Sequence, residues 1–190
     1  MSTKVSLVGA TLAAAIAAGA SADVTYTFTN STWTGFNFTQ LFGPETGSGG
    51  FIVGSLTGVS VNATLNASTN FTYADDLCVY VDVVPLSTGG LLQVGGFSNL
   101  SAQQRYFWAN GGSNAVGTVV NDTRTLTTPL TFNGNSADAA VWLGNGYGAT
   151  GTSGTWTGSI TLIGVNVVPA PGAVALLGLA GLAGGRRRRA

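Results

Sequence analysis

Between Asp23 and Val167 the apolar residues of this chain recur with period two, and that alternation restricts the fold more than any other feature. In VTYTFT, Val24, Tyr26 and Phe28 point one way and Thr25, Thr27 and Thr29 the other. TGVSVNATL opposes Val59, Val61, Ala63 and Leu65 to Ser60, Asn62 and Thr64, in a phase that continues through Phe71 and Tyr73. LCVYVDVV offers Leu77, Val79, Val81 and Val83 as its inward set, and TWTGSITLIGVNVV offers Trp156, Ile160 and Leu162. Shorter candidates are TGFNF, FIVG, RYFW, VGTVV, RTLTTPLTF and AAVWL. Alternation of this kind belongs to strands with one buried face.

The runs are separated by GPETGSGG, STGG, NGGSN, NGNSAD and GNGYGATGTSG, where Gly and Asn tolerate the positive φ that turns need. No window in this stretch holds three-four spacing over a helical length. Many short strands joined by such turns predict an all-β fold, an antiparallel sandwich or jelly roll, flanked by an N-terminal signal helix and a short C-terminal apolar helix. Thr, Ser and Asn fill the outward positions, hydrating a surface without a long-range field. Seven N-x-[ST] triplets occur, at Asn30, Asn37, Asn62, Asn66, Asn70, Asn99 and Asn121; in a chain so rich in Asn and Thr, triplets also arise by chance, so they assign no glycan.

Both ends read as addressing segments. Lys4 precedes the uncharged apolar run Val5 to Ala18, and Ala20-Ser21-Ala22 presents small residues for a signal peptidase cutting between Ala22 and Asp23. Residues 1–22 are therefore expected to be a secretory signal, residues 23–167 an extracytoplasmic sandwich domain and residues 168–190 a sorting or anchoring tail. The net charge of zero hides this division. All seven acids lie in the body, against Arg105 and Arg124, so the body carries minus five (two bases against seven acids). A phosphate backbone would repel it, and nucleic acid is not an expected partner.

In the tail, Gly172 to Gly185 is fourteen residues without a charge. At helical rise it covers roughly 21 Å, short of a hydrocarbon core of about 30 Å. Pro169 and Pro171 prevent a simple upstream extension. Arg186, Arg187, Arg188 and Arg189 would stay on the cytoplasmic side. A weak anchor, a basic lipid-docking tail and a processed sorting signal all fit, and the short length favours the last. Val168-Pro169-Ala170-Pro171, the apolar run and the terminal arginines, in that order, resemble the PEP-CTERM sorting domain of bacterial surface and exopolysaccharide-associated proteins. The resemblance covers residues 168–190, with Ala170 where the family usually has glutamate. It implies processing by an exosortase and a place at the cell surface or in a biofilm matrix, held transiently in the membrane by the tail.

Chemistry is sparse. Histidine is absent, which removes hydrolases built on imidazole. Cys78 is the only cysteine, so no internal disulfide forms, and it reads as a small half-buried side chain. Asp75-Asp76 is the only acidic pair; on an extended strand the two would face opposite ways and could not flank one glycosidic bond. A turn could gather them with Asp82 or Asn70 around calcium, although no D-x-D-x-D-G loop is present. GNGYG and GSGG read as turns, not phosphate cradles. No catalytic residue and no other cofactor is expected. Trp142 and Trp156 fall in alternating strands and read as core, whereas Trp108 and Tyr147 lie beside loops and are the candidate ligand-binding residues. The expected function is an exported, non-enzymatic surface or matrix protein; the alternative is a carbohydrate-binding module or small glycan-active enzyme, with extracellular polysaccharide as partner.

Overall fold

The computed structural model describes residues 23–45, 48–82 and 89–168. The signal segment, Val83, and the tail after Val168 with its Pro169, Ala170, Pro171 and four arginines lie outside the described residues. Nine strands account for most of the described chain: β1 (Val24–Thr34), β2 (Phe38–Phe42), β3 (Phe51–Thr69), β4 (Leu77–Asp82), β5 (Leu92–Val94), β6 (Gln104–Tyr106), β7 (Val119–Asn133), β8 (Ala140–Asn145) and β9 (Ser153–Val168). A 3-10 turn, Ala74–Asp76, precedes β4. Among the described residues no helix is long and apolar enough to cross a membrane.

The strands form a four-stranded sheet in the order β1-β9-β3-β7 and a five-stranded sheet in the order β2-β8-β4-β5-β6. All pairs are antiparallel except β5 with β6, which run parallel; the expectation of a wholly antiparallel fold is corrected at that one edge. The chain from Gly95 to Gln103 loops over the sheet and returns in the same direction, which a tight hairpin cannot do. Buried residues of both sheets, among them Val59, Val61, Ile160 and Leu162 from one and Leu77, Val79, Val81 and Leu143 from the other, join in one hydrophobic cluster. Trp156 is fully buried within it.

The alternation places most inward residues correctly. On the outer face of the four-stranded sheet, hydroxyls meet across strands: Thr25 with Thr161 at 2.9 Å, Thr32 with Thr155 at 2.7 Å, and Ser60 with Thr123 at 2.9 Å. Such cross-strand pairs each add a few tenths of a kcal/mol, up to about 1 kcal/mol. FIVG and TGVSVNATL, expected as separate strands, are one strand. Gly54, at φ +122, and Gly58 flank a register shift against β9. A Cβ on Gly54 would come within 2.8 Å of the Gly164 carbonyl, so these glycines form a bulge inside one continuous strand. VGTVV and RTLTTPLTF likewise supply the start and the rest of β7. At the other end of the body, β9 continues through Val168, which pairs with Phe51, so the first residue of the sorting motif is the last of a strand. Asp23 accepts a hydrogen bond from Gly164 N–H at 3.1 Å through its carboxylate.

Two expectations fail on β3 and β4. The inward phase does not reach Phe71: β3 stops at Thr69, and Asn70 (φ 51) and Phe71 (φ 60) take left-handed conformations that rotate Phe71 and Tyr73 out of the core. Cys78 is fully buried instead of half-buried, because all six residues of β4 are covered. Leu77, Val79 and Val81 face the main core, while Tyr80 packs with Ala140 and Trp142 in a second cluster that Phe38, Leu100 and Ala102 close. The Trp142 indole N–H donates to the Asp82 carbonyl at 3.3 Å.

Candidate functional site: an aromatic cleft over the 74–76 turn

The 3-10 turn is tied down from every side. The Trp156 indole donates to the Ala74 carbonyl at 3.1 Å, and the Trp108 indole donates to the Leu77 carbonyl at 2.7 Å. Gly96 N–H reaches the Asp75 carbonyl at 2.9 Å and Gly146 N–H the Asp76 carbonyl at 2.8 Å. These bonds draw three loops together. A Cβ on Gly96 would meet the Gly146 backbone at 2.8 Å, so this convergence requires glycine on both loops. Gln93, fully buried, fixes the middle loop: its amide donates to the Gly95 and Ser98 carbonyls and accepts from Leu100 N–H.

Between the loops opens a cleft of about 300 Å³. Phe71, Tyr73, Phe97, Phe107 and Tyr147 wall it, and Asp75, Asp76 and Gly96 lie among them. Three of the rings are far more exposed than phenylalanine usually is, with Phe71 at 71%, Phe97 at 73% and Phe107 at 57% exposure. Phe97 and Tyr147 meet edge to face with centroids 5.6 Å apart. The Arg105 guanidinium lies 4.4 Å from the centre of the Phe107 ring and donates to the Phe97 carbonyl at 2.8 Å, so it props two walls at once.

The two carboxylates differ in role. Asp76 is 4% exposed; one oxygen accepts Tyr73 N–H at 2.7 Å and the other Phe97 N–H at 3.1 Å. It therefore joins the chain segments that carry two of the aromatic walls. Burial pushes its carboxyl up to about 6, against the opposing pull of the Tyr73 N–H, with the neighbouring Asp75 charge adding to the rise and the Phe97 N–H opposing it. Asp75 is half-buried on the cleft, and desolvation raises its carboxyl as well. Among the described residues the one salt bridge is Arg124 with Asp122, at 2.7 Å, so no ion pair neutralises Asp75.

Trp108 and Tyr147, the two residues singled out from the sequence, come to the same cleft. Tyr147 is on its wall; Trp108 is 5% exposed, and with its indole N–H committed to Leu77 it backs the cleft more than it presents a face. The reading of Asp75 and Asp76 as oppositely directed strand residues is corrected, because they occupy a 3-10 turn and both reach the cleft. Asp82 is at the far end of β4 from them, and among the described residues no group of three or more His, Cys, Asp or Glu side chains is arranged to hold a metal ion. Sequence reasoning missed Phe71, Tyr73 and Phe97, and it placed Phe107 beside a loop, in RYFWANGG, without singling it out. For Phe97 and Phe107 a signal existed, since each lies beside a Gly- or Asn-rich loop outside any long alternating run. No family model, curated protein or solved structure matches this chain.

Proposed function

We propose that this chain is an exported surface or matrix protein whose all-β body binds glycans through the aromatic cleft, without catalysing a reaction. The observation that carries the reading is the concentration of exposed aromatic rings around one concave site. Aromatic faces pack against the apolar faces of sugar rings, and a carboxylate among them accepts sugar hydroxyls. A binding role is favoured over hydrolysis because a glycosidase needs two working carboxyl groups, whereas both oxygens of Asp76 are engaged by backbone amides. The body is read as a jelly roll, the double-sheet form found in lectin domains. Its support is the alternation of β1 to β4, and again of β7 to β9, between the two sheets.

Export rests on the sequence of the two ends. The secretory signal delivers the chain across the membrane, and the PEP-CTERM-like tail holds it there until an exosortase removes the tail and releases the body to the cell surface or exopolysaccharide matrix. A glycan array with the purified chain tests the binding role: we expect retention on at least one glycan class, lost in Phe97→Ala and Tyr147→Ala. No retention on any glycan, or retention indifferent to both substitutions, refutes it. Mass spectrometry of the C-terminus from cell-bound and released material tests the tail, and Arg189 intact in every fraction would make it an ordinary anchor.

A further inference from the structure

The cleft contains a charge pattern that a neutral sugar would leave unused. Asp75 lies among aromatic rings, half-buried and without an ion pair among the described residues. The nearby cation is already committed, because Arg105 stacks on Phe107 and donates to the Phe97 carbonyl. Phe71, Phe97 and Tyr73 remain exposed, and among the described residues the cation stacked on a ring is Arg105, over Phe107. Rings around a carboxylate form the arrangement that recognises an ammonium group, since the ring faces and the carboxylate attract the same charge and the ring surface desolvates the ligand's carbons.

Resting on the glycan-binding reading above, we infer that the cleft selects glycans bearing a free, protonated amine, that is, amino sugars without their acetyl groups. Asp75 is the counter-ion of the ammonium, and Phe71, Phe97 and Tyr73 supply the faces around it. An N-acetyl group removes the charge and adds bulk at that position, so acetylated chains lose the contact that distinguishes the site. The surplus negative charge of the body, minus five from two bases against seven acids, attracts the same ligands at longer range.

The test is calorimetric titration of the full chain, just below neutral pH, where the amine still carries its proton and Asp75 its charge, with glucosamine oligomers and N-acetylglucosamine oligomers of equal length. Glucosamine oligomers are expected to bind roughly tenfold more tightly. Asp75→Asn should erase that preference while leaving the weaker, neutral mode of binding. Asp75→Glu, which keeps the charge, should retain it, and this guards against a variant that has merely lost its fold. Equal affinity for the two oligomers in the unmodified chain, an undiminished preference in Asp75→Asn, or no binding of either oligomer overturns the inference. The glycan-binding role itself survives each of these results if the array shows cleft-dependent retention of another glycan, and falls only if it does not.

Discussion

Asp76 couples the stability of the fold to the geometry of the cleft, and the coupling has an unusual sign. Its carboxyl is raised to about 6 in the folded chain, chiefly by burial, from an ordinary value of 3.8. Between those two values the folded chain holds a proton that the unfolded chain has released. The contribution is therefore fully present below the lower value and lost as pH rises through the upper one. At about 1.4 kcal/mol per pH unit, the gap is worth up to about 3 kcal/mol. Asp76→Asn removes the titration. It also leaves Tyr73 N–H or Phe97 N–H facing an amide N–H in place of an oxygen, at a cost of about 1–3 kcal/mol. The variant should thus be less stable than the unmodified chain at about pH 4, and the difference should shrink or reverse by about pH 7. Urea unfolding of both proteins across that range, followed by tryptophan fluorescence, measures it directly. A difference that stays constant with pH would show that Asp76 ionises as an exposed carboxylate does, and would refute the argument.

Other consequences are local. Gly95, at φ +79, has no room for a side chain, because a Cβ would overlap the Trp108 indole nitrogen and the Leu77 carbonyl; Gly95→Ala should cost about 3 kcal/mol or more in thermal or urea unfolding. Cys78 is fully buried and desolvation pushes its thiol up, so a thiol reagent should leave it unlabelled in the native chain and label it only on unfolding. Asp138 accepts from Asn133 N–H at 2.7 Å, from the Asn133 side-chain amide at 3.0 Å and from Asn135 N–H at 3.2 Å, closing the connection between β7 and β8. Its replacement by Ala should lower stability by about 1–2 kcal/mol without changing glycan retention.

The strands were legible because burial of one face imposes period two, and Val24, Val59 and Trp156 all obey it. What period two does not encode is where a strand continues through a glycine. At Gly54 and Gly58 the bulge is set by the approach of β9, a tertiary fact with no local signature. The same limit concealed the site. Phe71 follows the inward phase in sequence, and only the left-handed turn at Asn70 and Phe71 carries it outward. Asp75 and Asp76 look like neighbours on a strand until the 3-10 turn, held by indoles from distant residues, brings both to the cleft. Tyr147 was singled out because it lies beside a loop, and the structure places it on the wall of the cleft.

The most direct test of the central claim is a two-dimensional amide NMR titration of the chain with the glycan that the array selects. Binding in the cleft predicts shifts concentrated at residues 71–76, 95–98, 105–109 and 146–148, with the outer threonine face of the four-stranded sheet unmoved. Shifts centred on that threonine face, or spread evenly over the body with the cleft amides unaffected, would contradict it.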